Sequence, residues 1–194
     1  MDIKIYSIMR YLKLFESFED IDRICRKYKI KIYNINTDGT IDVNEFVFLY
    51  KRGLTKLPLK FNKVNGSFSC RDNNLTSLEG SPIEVNGNFS CSYNQLTSFQ
   101  FAPRIIRGIF FCDNNNIKTF EYFPSFIKNY FCCGYNPIYQ VWVLFEDTNK
   151  IELLNDFDIF RDEDTDVPSI IIDRLNDFLL TIDRKPVEKV NKYK

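Results

Sequence analysis

Histidine is absent from all 194 residues, which excludes every histidine-based triad, histidine general base and histidine-liganded metal site. Neither charge sign is in excess: 26 lysines and arginines stand against 26 acidic residues, so no overall field favours nucleic acid or a membrane surface. No stretch reaches the ~18 consecutive apolar residues that a membrane span needs. The N-terminus lacks the apolar core and small-residue cleavage site of a secretory signal. Local Cys-x-x-Cys pairs of the kind that build zinc sites are missing, as are paired carboxylates, a glycine-rich phosphate loop and a nucleophile motif. The expectation is a non-enzymatic cytoplasmic chain without cofactor or metal, with no nucleic-acid or membrane partner, and monomeric by default.

What the chain has instead is a period. Cys70, Cys91, Cys112 and Cys133 recur every 21 residues, each with a phenylalanine two places before it (Phe68, Phe89, Phe110, Phe131) and an asparagine three places after it (Asn73, Asn94, Asn115, Asn136). Leu75, Leu96, Ile117 and Ile138 follow in phase, then Leu78, Phe99, Phe120 and Val141. Val64, Val85, Ile106 and Ile127 also keep register, as do Gly66, Gly87 and Gly108, with Asn129 in place of a fourth glycine, and Pro82, Pro103 and Pro124. One period upstream, Leu54 and Leu57 match Leu75 and Leu78, while Val47 and Leu49 stand where later coils put Phe and Cys.

A period in the low twenties with this apolar spacing and a fixed asparagine predicts a leucine-rich-repeat solenoid of about five coils. A unit this short cannot bury its own apolar face, so stacking makes the core and the end units need caps. Each coil reads as one short strand, Phe-x-Cys, with inward side chains in alternation. The asparagine turns the chain, and its amide is expected to satisfy backbone groups of the turn and of the neighbouring coil. The fold class is thus an α/β solenoid with a parallel sheet on its concave face, a mostly irregular convex side and helical caps at both ends. Successive cysteines form a ladder about 4.8 Å apart. They read as buried hydrophobes, with Cys132 alone facing outward.

The runs Leu75-Thr76-Ser77-Leu78-Glu79-Gly80-Ser81-Pro82 and Gly87-Asn88-Phe89-Ser90-Cys91-Ser92-Tyr93-Asn94 resemble the leucine-rich-repeat-like proteins of large tailed bacteriophages and some bacteria. The resemblance spans residues 30 to 183. It implies the solenoid fold, a chain acting in the host cytoplasm if phage-encoded, and protein binding by analogy with bacterial effector repeats. Phe99-Gln100-Phe101-Ala102 and Phe120-Glu121-Tyr122-Phe123 depart from Leu-Glu-Gly-Ser, which puts a uniform convex surface in doubt. Leu14-Phe15-Glu16, after a helical opening at Met9, also fits the Leu-x-Glu pattern cut by prohead proteases of such phages. This implies the alternative of a virion-packaged protein targeted by its N-terminal helix.

Around the repeats, residues 1–30 read as an N-terminal helical segment and cap, with Ser17 and Asp20 as a capping box and Ile21, Cys25 and Tyr28 on one face. Residues 31–53 read as a β-hairpin leading into the first coil, 54–141 as the solenoid, 142–183 as a C-terminal helical cap and 184–194 as a flexible basic tail. Asn34, Asn36, Asp38, Gly39, Ile41 and Glu45 reproduce most of a calcium loop, yet β-rich residues flank them and Asp38-Gly39 signals a hairpin turn. In the C-terminal part Trp142, Leu144 and Phe145 begin the cap, Leu153, Leu154 and Phe157 suit a helix, and Ile171, Leu175, Phe178, Leu179 and Ile182 form a helical stripe. The run Asp162-Glu163-Asp164-Thr165-Asp166 reads as a solvated loop.

Function is expected on the outward positions of the strands. These run Ser67, Ser69, Arg71 and Asp72; Asn88, Ser90, Ser92 and Tyr93; Ile109, Phe111, Asp113 and Asn114; and Tyr130, Cys132, Gly134 and Tyr135. Polarity falls along the series, and apolar residues where a solvated strand is polar predict a protein-binding patch. Arg71, Tyr93, Ile109, Phe111, Tyr130 and Tyr135 are its candidate residues. The competing expectation is that the C-terminal segment folds back over them.

Overall fold

The computed structural model describes residues 18–157, 159–161 and 169–190. Met9, the Leu14-Phe15-Glu16 site, Ser17, the acidic run Asp162–Asp166 and the last four residues lie outside that set.

The 21-residue period folds as a parallel β-solenoid, and each coil carries two strands where the Phe-x-Cys alternation predicts one. The first ladder contains β1 (Tyr33–Ile35), β2 (Ile41–Val43), β4 (Phe61–Val64), β6 (Glu84–Val85), β8 (Ile105–Ile106) and β10 (Phe126–Ile127), in the order β1-β2-β4-β6-β8-β10. The second contains β3 (Val47–Phe48), β5 (Phe68–Ser69), β7 (Phe89–Ser90), β9 (Phe110–Phe111) and β11 (Phe131–Cys132), each hydrogen-bonded to the next. Within these two ladders every pairing is parallel except β1 with β2. Val64 aligns with Val85 and Phe68 with Phe89, one period apart. The valine and isoleucine positions therefore mark a strand of their own, and the glycine after them marks the corner between the two. A Cβ on Gly108 would lie 2.6 Å from the Gly87 carbonyl of the coil below, so only a bare backbone fits.

The core lies between the ladders and the irregular third side. Phe68, Phe89 and Phe110 stack with ring centroids 5.6 Å apart at each step, and Phe110 to Phe131 is 5.4 Å. Leu75, Leu96, Ile117 and Ile138 are fully buried behind them, with Leu78, Phe99, Phe120 and Val141. Each such side chain contributes about 1.5–3 kcal/mol on burial. From Asn73 to Pro82 the chain forms no strand, so the asparagines hold this side.

Asn94 shows how. Its Nδ2 donates to the Cys91 carbonyl at 3.0 Å and to the Cys70 carbonyl of the previous coil at 3.1 Å, and its Oδ1 accepts from the Leu75 N–H at 2.9 Å. Asn73, Asn115 and Asn136 repeat the pattern. Every asparagine thus clips two coils together while satisfying buried main-chain groups.

Among the described residues helices are few and short. Residues 18–28 form α1, which buries Cys25 and rests Ile21 and Tyr28 against the core. Asp38 turns the β1–β2 hairpin by accepting from the N–H and hydroxyl of Thr40, which holds its carboxyl below the usual range. The calcium-like residues are therefore flanked by strands, and Glu45 spends one carboxylate oxygen on the Lys31 and Ile32 N–H groups.

At the other end lie α2 (Tyr139–Trp142), α3 (Ile151–Asp156), a small antiparallel pair β12 (Phe160–Arg161) with β13 (Ser169–Ile170), and α4 (Ile172–Thr181). Trp142 packs on Phe131 at 4.9 Å, Phe145 on Trp142 at 5.3 Å and Phe178 on Phe145 at 5.4 Å. This chain of rings carries the core past the last coil. The stripe Leu175, Phe178 and Leu179 is buried on α4.

Candidate interaction surface

The pleat of the second ladder sends Phe68, Cys70 and their equivalents inward and leaves three rows outward. One row is Phe46, Ser67, Asn88, Ile109 and Tyr130. The next is Phe48, Ser69, Ser90, Phe111 and Cys132, aligned strand by strand. The third is Tyr50, Arg71, Ser92, Asp113 and Gly134. Small polar residues thus occupy the middle, with aromatic and apolar residues at both ends.

Tyr130 is 74% exposed and Tyr135 71%, whereas Ile109 and Phe111 are half-buried. The described residues of 142–183 pack on the end of the stack through Trp142, Phe145 and Phe178 and leave Tyr130 and Tyr135 open. Tyr93 and Tyr135 stand apart from the strand rows. They occupy a repeated corner where Lys51, Asp72, Tyr93, Asn114 and Tyr135 all have φ between 53° and 58°, so their rings rise at the rim of the ladder face. Arg71 lies 5.8 Å from the Tyr93 ring centroid, and its Nε donates to Asp72 at 2.8 Å.

Between these groups is a depression of about 300 Å³ lined by Ser69, Ser90, Arg71, Tyr93, Phe111 and Asp113 among others. Asp113 forms its far wall, fixed by the Gly134 N–H at 3.0 Å and the Ser92 hydroxyl at 3.3 Å. Three of the six candidate residues, Arg71, Tyr93 and Phe111, therefore line one hollow, while Ile109, Tyr130 and Tyr135 extend the patch towards the last coil.

The N-terminal end of the face carries residues that the falling polarity did not predict. Phe46, Phe48 and Tyr50 are 60%, 52% and 49% exposed, and the Phe46 and Phe48 rings lie parallel at 6.0 Å. Their signal was present in the sequence, one period upstream of Ser67, Ser69 and Arg71. The first ladder differs: Glu84 pairs there with Lys63 at 3.5 Å and Arg107 at 3.0 Å. A second depression of about 420 Å³ opens on the irregular side, lined by Phe101, Tyr122, Ile83 and Arg104 among others.

The cysteine ladder is built for packing. All six thiols are free, and Cys70, Cys91, Cys112 and Cys133 are buried. Burial pushes Cys70 up to about 12 and Cys91 and Cys112 well above the ordinary thiol value. A nucleophile needs the thiolate, so these positions are inert. Among the described residues no cluster of histidine, cysteine, aspartate or glutamate is arranged to hold a metal, and no helix is long and apolar enough to cross a membrane. Comparisons with protein-family profiles, curated proteins and solved structures give no match.

Proposed function

We propose that this chain is a non-enzymatic protein-interaction module of leucine-rich-repeat type, binding a protein partner through the outward face of the second ladder. The observation that supports the reading most directly is the position of Phe111, which lines a hollow of about 300 Å³ beside Ser69 and Ser90, with the exposed Tyr130 continuing the aromatic surface on the next coil. Solvated strands alternate apolar and polar residues, and an aromatic cluster around small polar groups has the composition of a binding hot spot. On this reading α1 and the α2–α4 region act as caps that spare the face, and the chain acts in the cytoplasm, a phage-infected host cell if phage-encoded.

The test is capture from the native host with wild type and the Phe111→Ala/Tyr130→Ala double variant in parallel, both checked for unchanged circular dichroism. A protein retained by wild type and lost with the double variant supports the reading; equal retention by both contradicts it.

A further inference from the structure

At one end of the hollow on the second ladder, the chain holds a guanidinium of its own. Arg71 lies 5.8 Å from the Tyr93 ring centroid, and its Nε donates to the Asp72 carboxylate at 2.8 Å. A ring and a carboxylate thus flank one planar cation, the combination that suits arginine. Two periods on from Ser69 and Arg71, Phe111 and Asp113 stand at the equivalent outward positions and offer a ring and a carboxylate again. Both line the hollow, and no lysine or arginine among the described residues pairs with Asp113. The packing does not need that charge. Asp113 Oδ1 accepts from the Gly134 N–H at 3.0 Å and Oδ2 from the Ser92 hydroxyl at 3.3 Å. On a neighbouring row Asn88 ties two coils in the same way with a neutral amide, accepting from the Ile109 N–H at 2.8 Å. A carboxylate offers roughly four acceptor sites, so each Asp113 oxygen keeps one, which matches the two-pronged donor set of a guanidinium.

We propose that the hollow receives an arginine side chain of the partner protein, with its guanidinium on the Asp113 carboxylate and its plane against Phe111. This rests on the protein-binding reading of the face and names the chemistry of the group bound. Charge selects it. Arg71 is balanced by Asp72, so Asp113 leaves one uncompensated negative charge at the hollow. Arg71 stands two coils from Asp113, about 10 Å along the ladder, and leaves that place unfilled. An acidic group of the partner would face Asp113 and find Arg71 already engaged. The volume of about 300 Å³ lies at the low end of ligand pockets, which fits one long side chain and excludes a helix.

NMR of the isotope-labelled full chain tests it, by titration with acetyl-Gly-Arg-Gly-amide and with the same peptide carrying citrulline, which keeps the shape of arginine and removes its charge. The arginine peptide is expected to shift the amide signals of Ser90, Phe111, Asp113 and Gly134 and to bind about tenfold more tightly than its citrulline counterpart. Asp113→Asn keeps an acceptor for the Gly134 N–H and a polar group for Ser92, so the fold is expected to persist while the preference for arginine disappears. Glu84→Gln removes a charge from the first ladder instead and is expected to leave the preference intact. Absence of shifts, shifts centred elsewhere, or a preference that survives Asp113→Asn overturns the proposal. Capture from the native host separates this inference from the reading it rests on. A protein lost with Phe111→Ala/Tyr130→Ala but fully retained by Asp113→Asn overturns the arginine site alone. Equal retention by wild type and both variants overturns the binding face as well.

Discussion

The side-chain amide of Asn94 donates to the carbonyl of Cys70, 24 residues back and one coil away, at 3.1 Å. The same amide bonds the Cys91 carbonyl of its own coil. One buried residue therefore supplies both the turn and the tie between neighbouring repeats, and four asparagines do this along the stack.

Asn94→Ala leaves two carbonyls and the Leu75 N–H without these partners in a water-poor site. The expected loss is about 3 kcal/mol, read from the urea midpoint. Asn94→Asp keeps the acceptor for Leu75 but cannot donate to either carbonyl, so it is expected to destabilise nearly as much. The exposed neighbour Asn74→Ala is the control, with a change within about 0.5 kcal/mol.

Gly108→Ala is expected to cost about 2 kcal/mol, since the new methyl would press on the Gly87 carbonyl at 2.6 Å. Gly39→Ala is expected to cost about 1 kcal/mol, from its φ of 79° alone, because no atom lies within 4 Å of the new methyl. Thermal unfolding of the two variants ranks them directly.

Thiol accessibility follows from the same geometry. Cys132 is half-buried on the outward row, while the other five cysteines are buried. Maleimide labelling of the native protein is expected to modify one cysteine rapidly and six after denaturation. Peptide mapping should place the native label on Cys132, and rapid labelling of Cys70 or Cys91 would contradict the packing.

The 21-residue repeat is legible because a stack imposes the same environment on each equivalent position, so residue type recurs wherever burial and hydrogen bonding are strict. Phe68, Cys70, Asn73 and Leu75 repeat for that reason. The first ladder was harder to see, because Glu84–Val85 and Ile105–Ile106 are two-residue strands with a single inward side chain each, too short for alternation to register. The aromatic edge at Phe46, Phe48 and Tyr50 was masked for a different reason. Outward residues are free of the core's demands, so their identities change from coil to coil, and only counting back one period places them on the face. The turned-out Tyr93 and Tyr135 depend on a left-handed backbone that glycine or asparagine usually takes, and their residue type conceals it.

Alkaline pH should weaken the fold. The buried thiols have folded values raised above their ordinary value of 9.0, with Cys70 at about 12. A raised acid binds its proton more tightly when folded, so its stabilisation is complete below pH 9 and is lost as pH rises towards 12. Each such thiol contributes a slope of up to about 1.4 kcal/mol per pH unit in that window. Urea unfolding across it is expected to show a steep fall, shallower in Cys70→Ala.

Site-directed photocrosslinking in the native host tests the binding face most directly. A benzophenone amino acid is placed at Phe111 or Tyr130 on the second ladder, and at Lys63 on the first. A discrete protein adduct is expected from positions 111 and 130 and none from 63. Adducts arising only from position 63, or from none of the three, would contradict it.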